Sequence, residues 1–205
     1  MAEKVCPRCN NKRHIFQEGK GWIRCICVSY MRATKLMSKS GFPRALWEIE
    51  PKEFNPNHEE YLQELSQALT ESAKTYDKQN MFIYSEFIEK DKAAAILCRS
   101  TAILHEEVKS ISYTTIDQLV QRGFGKEYEG QSEVDPEDAD ITVVAIGAEM
   151  TNAAHRSRLY QFLYNRLLSN KQTVVVSSIP DTKLMQVYQK AITTLLTKYY
   201  KFYVC

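Results

Sequence analysis

The runs MFIYS (Met81–Ser85), SISY (Ser110–Tyr113), ITVVAIG (Ile141–Gly147) and TVVVSS (Thr173–Ser178) most constrain what this chain can fold into. The longer ones are apolar at successive rather than alternate positions, so they read as strands buried on both faces. Between them lie helical patterns: DKAAAILCRSTAILHE (Asp91–Glu106), TTIDQLVQR (Thr114–Arg122) and AAHRSRLYQFLYNRLLSN (Ala153–Asn170). Such an alternation specifies an α/β fold, a parallel sheet with helices on both faces. TKYYKFYVC (Thr197–Cys205) is a candidate last strand. Its Tyr/Lys alternation reads alternatively as an exposed basic-aromatic strip for nucleic acid. GKEYEGQSEVDPEDAD (Gly125–Asp140) reads as an acidic surface loop.

Four of the six cysteines fall in CPRCNNKRHIFQEGKGWIRCIC, at Cys6, Cys9, Cys25 and Cys27, with the spacing C-x2-C-x15-C-x-C. Two close pairs supply two thiolates from each of two turns, the arrangement that tetrahedral zinc requires. The β-type residues around Gly19-Lys20-Gly21 predict a hairpin that folds the second pair back onto the first. One structural Zn²⁺ per chain is expected, because four thiolates leave no open position for catalysis and so short a segment needs metal to order it. A disulfide framework does not suit a reducing cytoplasm, and reactive thiols are the other alternative. His14 is an alternative fourth ligand. Cys98 lies in an apolar helical run and reads as a core residue.

Residues 1–45 hold ten Lys and Arg against two Glu, a balance of +8, whereas the other 160 residues carry 17 basic and 23 acidic groups, a balance of −6. A basic head on an acidic body suits an anionic partner at the head. Arg8, Arg13, Trp22, Arg24 and Arg32 are the candidate contacts for nucleic acid or protein, with Phe16 and Tyr30 beside them. The alternative for Trp22 and Phe16 is packing around the hairpin. Ser29–Lys39 reads as a short helix ending at Gly41. HEEYLQELSQALTESAKTYDKQ (His58–Gln79) places Tyr61, Leu62, Leu65, Leu69, Ala73 and Tyr76 on one helical stripe, for core packing or for a partner. The domain reading is therefore a zinc-binding basic head at 1–45, a linker and helix at 46–80, and an α/β core at 81–205. No apolar run is long enough to span a membrane and the N-terminus has no signal-peptide core, so the cytoplasm is the expected location.

The order of these pieces resembles the bacterial and phage replicative-helicase loaders of the AAA+ ATPase family. CPRCNNK…WIRCIC is similar to the zinc-binding start of several loaders, and KSGFPRALWEIEPKEF to the linker ahead of their ATPase core. VKSISYTTIDQLVQRG resembles their second strand and following helix. ADITVVAIGAEMTNAAHRSRLYQFLYNRLLSNKQTVVVSSIP resembles the segment from the Walker B strand to the sensor strand. The resemblance implies a P-loop-type core and, as partners, a replicative DNA helicase or loader ATPase and single-stranded DNA.

The departures from that pattern bear on chemistry. A phosphate loop, G-x-x-x-x-G-K-[ST], closes backbone N–H groups on the phosphates, neutralises them with its lysine and holds Mg²⁺ with its hydroxyl. Between Tyr84 and Ala93 this chain has Ser85, Glu86, Phe87, Ile88, Glu89, Lys90, Asp91 and Lys92, with no glycine and three carboxylates. Lys90 or Lys92 could supply one charge contact and nothing more of the cradle. The Walker B positions fall on Val144 and Ala145, and the sensor position on Ser177 and Ser178. His155, Arg156 and Arg158 lie near where loaders present helix arginines, although arginines there are otherwise simply solvated. The expectation is a degenerate P-loop core with no catalytic residues and no nucleotide site. It would be a non-hydrolysing accessory of DNA replication in a phage or mobile element, with the core as an assembly surface. The alternatives are a weak ATPase with a rearranged loop, and a zinc-containing nucleic-acid-binding or regulatory protein unrelated to helicase loading.

Overall fold

The computed structural model describes residues 6–49, 69, 71–84, 89–123, 132–147, 152–180, 183–188 and 190–204. A hairpin of β1 (His14–Gln17) and β2 (Gly21–Arg24) leads into helix α1 (Cys27–Lys39) and a 3-10 turn at Arg44–Leu46. The core then runs β3 (Asn80–Tyr84), α2 (Glu89–Leu104), β4 (Ile111–Thr115), α3 (Ile116–Arg122), β5 (Ile141–Ile146), α4 (Ala153–Leu168), β6 (Gln172–Ser177), α5 (Leu184–Val187), α6 (Lys190–Tyr199) and β7 (Tyr200–Val204). All five core strands are parallel, in the order β4-β5-β6-β3-β7.

Alternation along each strand divides the core in two. Met81, Ile83, Ile141, Val143, Val174 and Val176 face α1 and α2, where Ala93, Ala94 and Ala95 let the helix lie close to the sheet. Phe82, Tyr84, Val144, Ile146 and Val175 face α3, α4 and α6. Each such side chain contributes about 1.5–3 kcal/mol by leaving water, so continuous apolar runs on strands with two packed faces are the expected outcome. Helix starts are set locally. Thr115 and Gln118 form a reciprocal capping box on α3, and the Asn152 side chain accepts from Ala154 N at 2.8 Å to open α4. Gly41, at φ +87°, follows the end of α1, where a left-handed residue lets the chain turn away.

The head and its helix are joined to the core. Helix α1 packs on α2 through Ala33 and Met37. Arg32 donates to the carbonyls of Ala102, His105 (2.9 Å) and Val108 (2.9 Å), satisfying the otherwise open C-terminal end of α2. Arg24 pairs with Glu106 at 2.7 Å. The chain after α1 also covers the β4 edge: Tyr113 N donates to Ser40 O at 2.6 Å and Phe42 lies 4.6 Å from the Tyr113 ring.

The last strand reading holds, since Tyr200–Val204 pairs in parallel with β3. Helix α6 was not among the helical patterns read from the sequence. Of the stripe read in His58–Gln79, residues 71–75 are helical and Leu69 and Ala73 are buried beside α2. Tyr61, Leu62 and Leu65 lie outside the described residues. No described helix is long and apolar enough to cross a membrane.

Candidate functional site

The metal centre is built from two turns. Before β1, Asn10 N donates to Cys6 O (2.8 Å) and Lys12 N to Cys9 O (2.9 Å), while the Asn11 side chain accepts from Cys6 N at 2.9 Å. Asn10 and Asn11 take positive φ, +45° and +63°, a conformation asparagine tolerates better than most residues. The hairpin turns at Glu18–Lys20 and pairs His14 with Arg24, which returns the chain so that Cys25 N reaches Arg13 O at 2.8 Å. The result brings Cys6, Cys9, Cys25 and Cys27 together, with all four sulfurs within 4.8 Å of one another.

These four thiols could hold a metal ion. A tetrahedral zinc tetrathiolate with Zn–S bonds near 2.3 Å has edges of roughly 3.8 Å. The distances Cys6 Sγ–Cys25 Sγ and Cys9 Sγ–Cys27 Sγ are 3.9 and 3.5 Å. Backbone hydrogen bonds from Cys9 and Arg8 lower the Cys6 thiol to about 7, whereas desolvation and the neighbouring cysteines push Cys27 up to about 12. Four thiols at this separation cannot all ionise unaided, and a bound cation removes that conflict. His14 is exposed on β1 and is not part of the cluster. Cys98 is fully buried in α2 and its thiol is pushed up to about 12 by that burial, the state of an inert core residue.

The head residues separate into two groups. Arg24 and Arg32 hold the head to the core, while Arg8, Arg13 and Trp22 stand at the surface. Phe16 and Trp22 are cross-strand partners, their rings edge-to-face at 5.8 Å, and they are 66% and 71% exposed. The two rings pack on each other across the hairpin and leave most of their surface to solvent. Ile15 and Ile23, on the other face of the hairpin, are the half-buried pair.

The other candidate site is the carboxyl edge of the sheet. Here Thr115, Ala145, Ile146, Ser177, Tyr84 and Val204 align across the strands. The chain leaves β3 for β4 over one face and β6 for β7 over the other, so the topology switches between the ends of β3 and β6. In open parallel sheets that is where ligands bind. Ser85–Ile88, which follow β3, lie outside the described residues, as do Ala148 and Glu149. Val144 is fully buried among α3 and α4 side chains, and Ala145 is half-buried. Ser177 is buried; its hydroxyl donates to Ile179 O (3.0 Å) and accepts from Ile179 N (2.9 Å). Asp91 accepts from the Tyr113 hydroxyl at 3.2 Å, and burial raises its carboxyl above the usual range. Lys90 and Lys92 are half-buried and each has a partner. His155 meets Asp117 at 2.7 Å and Arg158 meets Glu137 at 2.7 Å, so both are engaged within the chain, as is Arg156.

Comparison of the whole structure with solved ones places this arrangement. A primosome component from Streptococcus pyogenes serotype M3 superposes with TM-score 0.62, covering 83% of this chain and 94% of its own at 15% identity. The fold is that of the helicase loaders. DnaI gives TM-score 0.61 at 13% identity over 79% of this chain and 93% of its own. The DnaC helicase loader gives 0.58 at 10% identity over 79% and 99%. No family model matches the sequence, and no curated protein does. At these identities the likeness speaks for the fold alone.

Proposed function

We propose that this protein is a non-hydrolysing, helicase-loader-like accessory of DNA replication that acts by contact and carries one structural Zn²⁺. The observation that carries the reading is the end of β5. In a sheet with the loader fold, the strand that should present acidic residues to Mg²⁺ ends in buried Val144, Ala145 and buried Ile146. A core that keeps the sheet while β5 itself carries no carboxylate serves, on this reading, as a scaffold.

The scaffold presents the zinc head. Two adjacent aromatic rings, exposed on a metal-pinned hairpin, are rigid apolar anchors of the kind that dominate protein interfaces. Phe16 and Trp22, flanked by Arg8 and Arg13, are the proposed contact to a replicative helicase or a loader ATPase. Single-stranded DNA is the second reading, favoured by the same rings beside basic groups. The test is retention of the host's replicative helicase by the full-length protein after nuclease treatment. Loss of retention in the Phe16→Ala, Trp22→Ala double variant is expected. Failure to retain either helicase or loader ATPase overturns the reading, and retention of DNA alone selects the second one.

A further inference from the structure

Ten large apolar or aromatic side chains stand exposed among the described residues, and four of them converge on one groove. Tyr160, Tyr164 and Leu168 form a stripe along α4, and Tyr199 closes the far wall at the end of α6. Leu195 on α6 also lines the groove, whose volume is about 650 Å³. The core does not need this stripe. Helix α4 packs inward through Leu159, Phe162, Leu163 and Arg166, one residue round from the exposed set. Tyr164 remains 47%, Tyr199 49% and Leu168 71% exposed. Monomeric surfaces seldom gather rings and leucines in this way unless something covers them.

The surroundings state the charge of the occupant. Residues 152–204 hold eight Lys and Arg and one acidic residue, Asp181, whereas residues 46–150 hold nine basic and 22 acidic ones. Helices α4 and α6 and strand β7 contain no carboxylate side chain at all. Of those eight cations Arg158, Arg166 and Lys171 are engaged within the chain, so the charge at the groove is set by Lys198 and by the lack of any carboxylate on the two helices that form it. The groove lining is nonetheless apolar, with Lys198 its single cation. A nucleic acid strand needs a track of several cations along its phosphates. Nor do Tyr160 and Tyr164 admit a base between them. Tyr160 and Tyr164 lie nearly parallel, at 12°, with centroids 6.0 Å apart. A base inserted between two rings needs about 7 Å.

We infer that the groove between α4 and α6 is a docking site for an amphipathic helix of a partner protein, one that carries acidic residues beside its apolar stripe. Apolar anchors at i, i+3 or i+4, and i+7 would lie along Tyr160, Tyr164 and Leu168, with a carboxylate set against Lys198. The groove is on the opposite face of the sheet from α1 and the zinc head, and the inference stands whether or not the head binds a helicase.

The test uses the full-length protein and three labelled probes. The first is a synthetic amphipathic helix of about five turns, with leucines at the anchor spacing and glutamates at the flanks. The second has lysines at the flanks, and the third is oligo(dT). Fluorescence anisotropy should show the glutamate-flanked peptide binding more tightly than the lysine-flanked one. Tyr164→Ser with Leu168→Ser should weaken it by about tenfold or more. Lys198→Glu, at an exposed position on the rim, should weaken it by about threefold and reduce the preference between the two peptides. Because Lys198 is outside the packed core, its variant gives a readout even if the double variant lowers the melting midpoint. Equal binding of the two peptides, or binding indifferent to these substitutions, overturns the inference. So does oligo(dT) binding that the same variants abolish, which makes the site one for nucleic acid. Self-association abolished by them makes it an interface between copies of this chain, and overturns the inference equally.

Discussion

Arg166 is the largest side chain the described fold buries completely, and it is held by carbonyls rather than by a carboxylate. Its guanidinium donates to Pro136 O (3.1 Å), Ala139 O (2.5 Å), Gln172 O and the Thr173 hydroxyl (3.0 Å), tying α4 to the segment before β5 and to the start of β6. Burial lowers its pKa to about 10, so it remains charged at neutral pH. Arg166→Met removes the guanidinium donor from the Ala139 and Gln172 carbonyls, although Pro136 O still accepts from the Thr142 hydroxyl, and is expected to cost about 3 kcal/mol in denaturant unfolding. Arg166→Lys should recover only part, because one ammonium cannot span acceptors on both segments. An unchanged unfolding midpoint for Arg166→Met would contradict this role. Asp91 gives the opposite sign. Burial raises its folded pKa above the ordinary 3.8, so the folded state holds the proton more tightly than the unfolded one. Its charged form therefore opposes folding, and that penalty is relieved as pH falls through the folded pKa. Asp91→Asn should raise the melting midpoint at pH 7, with the advantage shrinking to nothing as pH drops to about 3.8. A gain that persists below that pH would mean the carboxylate charge is not the cause.

Among the elements, the zinc knuckle and hairpin have almost no core of their own, so their order should depend on metal. Protein purified without chelator should contain one zinc per chain, and Cys6→Ser with Cys9→Ser should abolish it. Chelation should open Lys12, Arg13, Lys20 and Arg24 to trypsin while β3–β7 stay resistant; a head equally resistant without metal would refute the dependence. The hairpin and all four cysteine positions are legible in the sequence because spacing alone dictates them. The strands β5 and β6 are legible because successive Val and Ile residues suit only a sheet packed on two faces. Exposure of the hairpin aromatics is not legible. Period two separates Phe16 and Trp22 from Ile15 and Ile23, but both pairs are apolar, and only the folded head decides which pair is half-buried. Helix α6 is obscured for a related reason. Its Ile192, Leu195 and Leu196 follow a helical period, yet Ile192, Thr193 and Thr194 are β-branched, and β7 begins at Tyr200 with no intervening loop. The groove on α4 is hidden because Leu159, Tyr160, Leu163 and Tyr164 form one broad apolar band in sequence, and only the packed sheet divides it into a buried half and an exposed half.

For the whole molecule, the proposed non-hydrolysing reading is tested by nucleotide. A bound nucleotide stabilises a protein by mass action, by about 2.7 kcal/mol when ligand stands at a hundred times its dissociation constant. In a chain of this size each kcal/mol moves the melting midpoint by roughly 2–4 °C, so millimolar Mg²⁺-ATP would reveal any affinity near ten micromolar as a shift of several degrees. Among the described residues, the carboxyl edge of the sheet is filled from within the chain. Val144 and Ile146 fill the end of β5, the Ser177 hydroxyl is satisfied by Ile179, and the Asp91 carboxylate takes the Tyr113 hydroxyl. A phosphate entering beside Asp91 would meet a carboxylate in partly desolvated surroundings, where like charges repel most strongly. Mg²⁺-ATP is therefore expected to leave the melting midpoint unchanged, in the wild type and in Asp91→Asn alike. A clear shift in the wild type, or ATP turnover lost in Lys90→Ala or Lys92→Ala, would restore the protein to the ATPases. A shift in Asp91→Asn alone would show instead that the cradle survives and that this one carboxylate closes it.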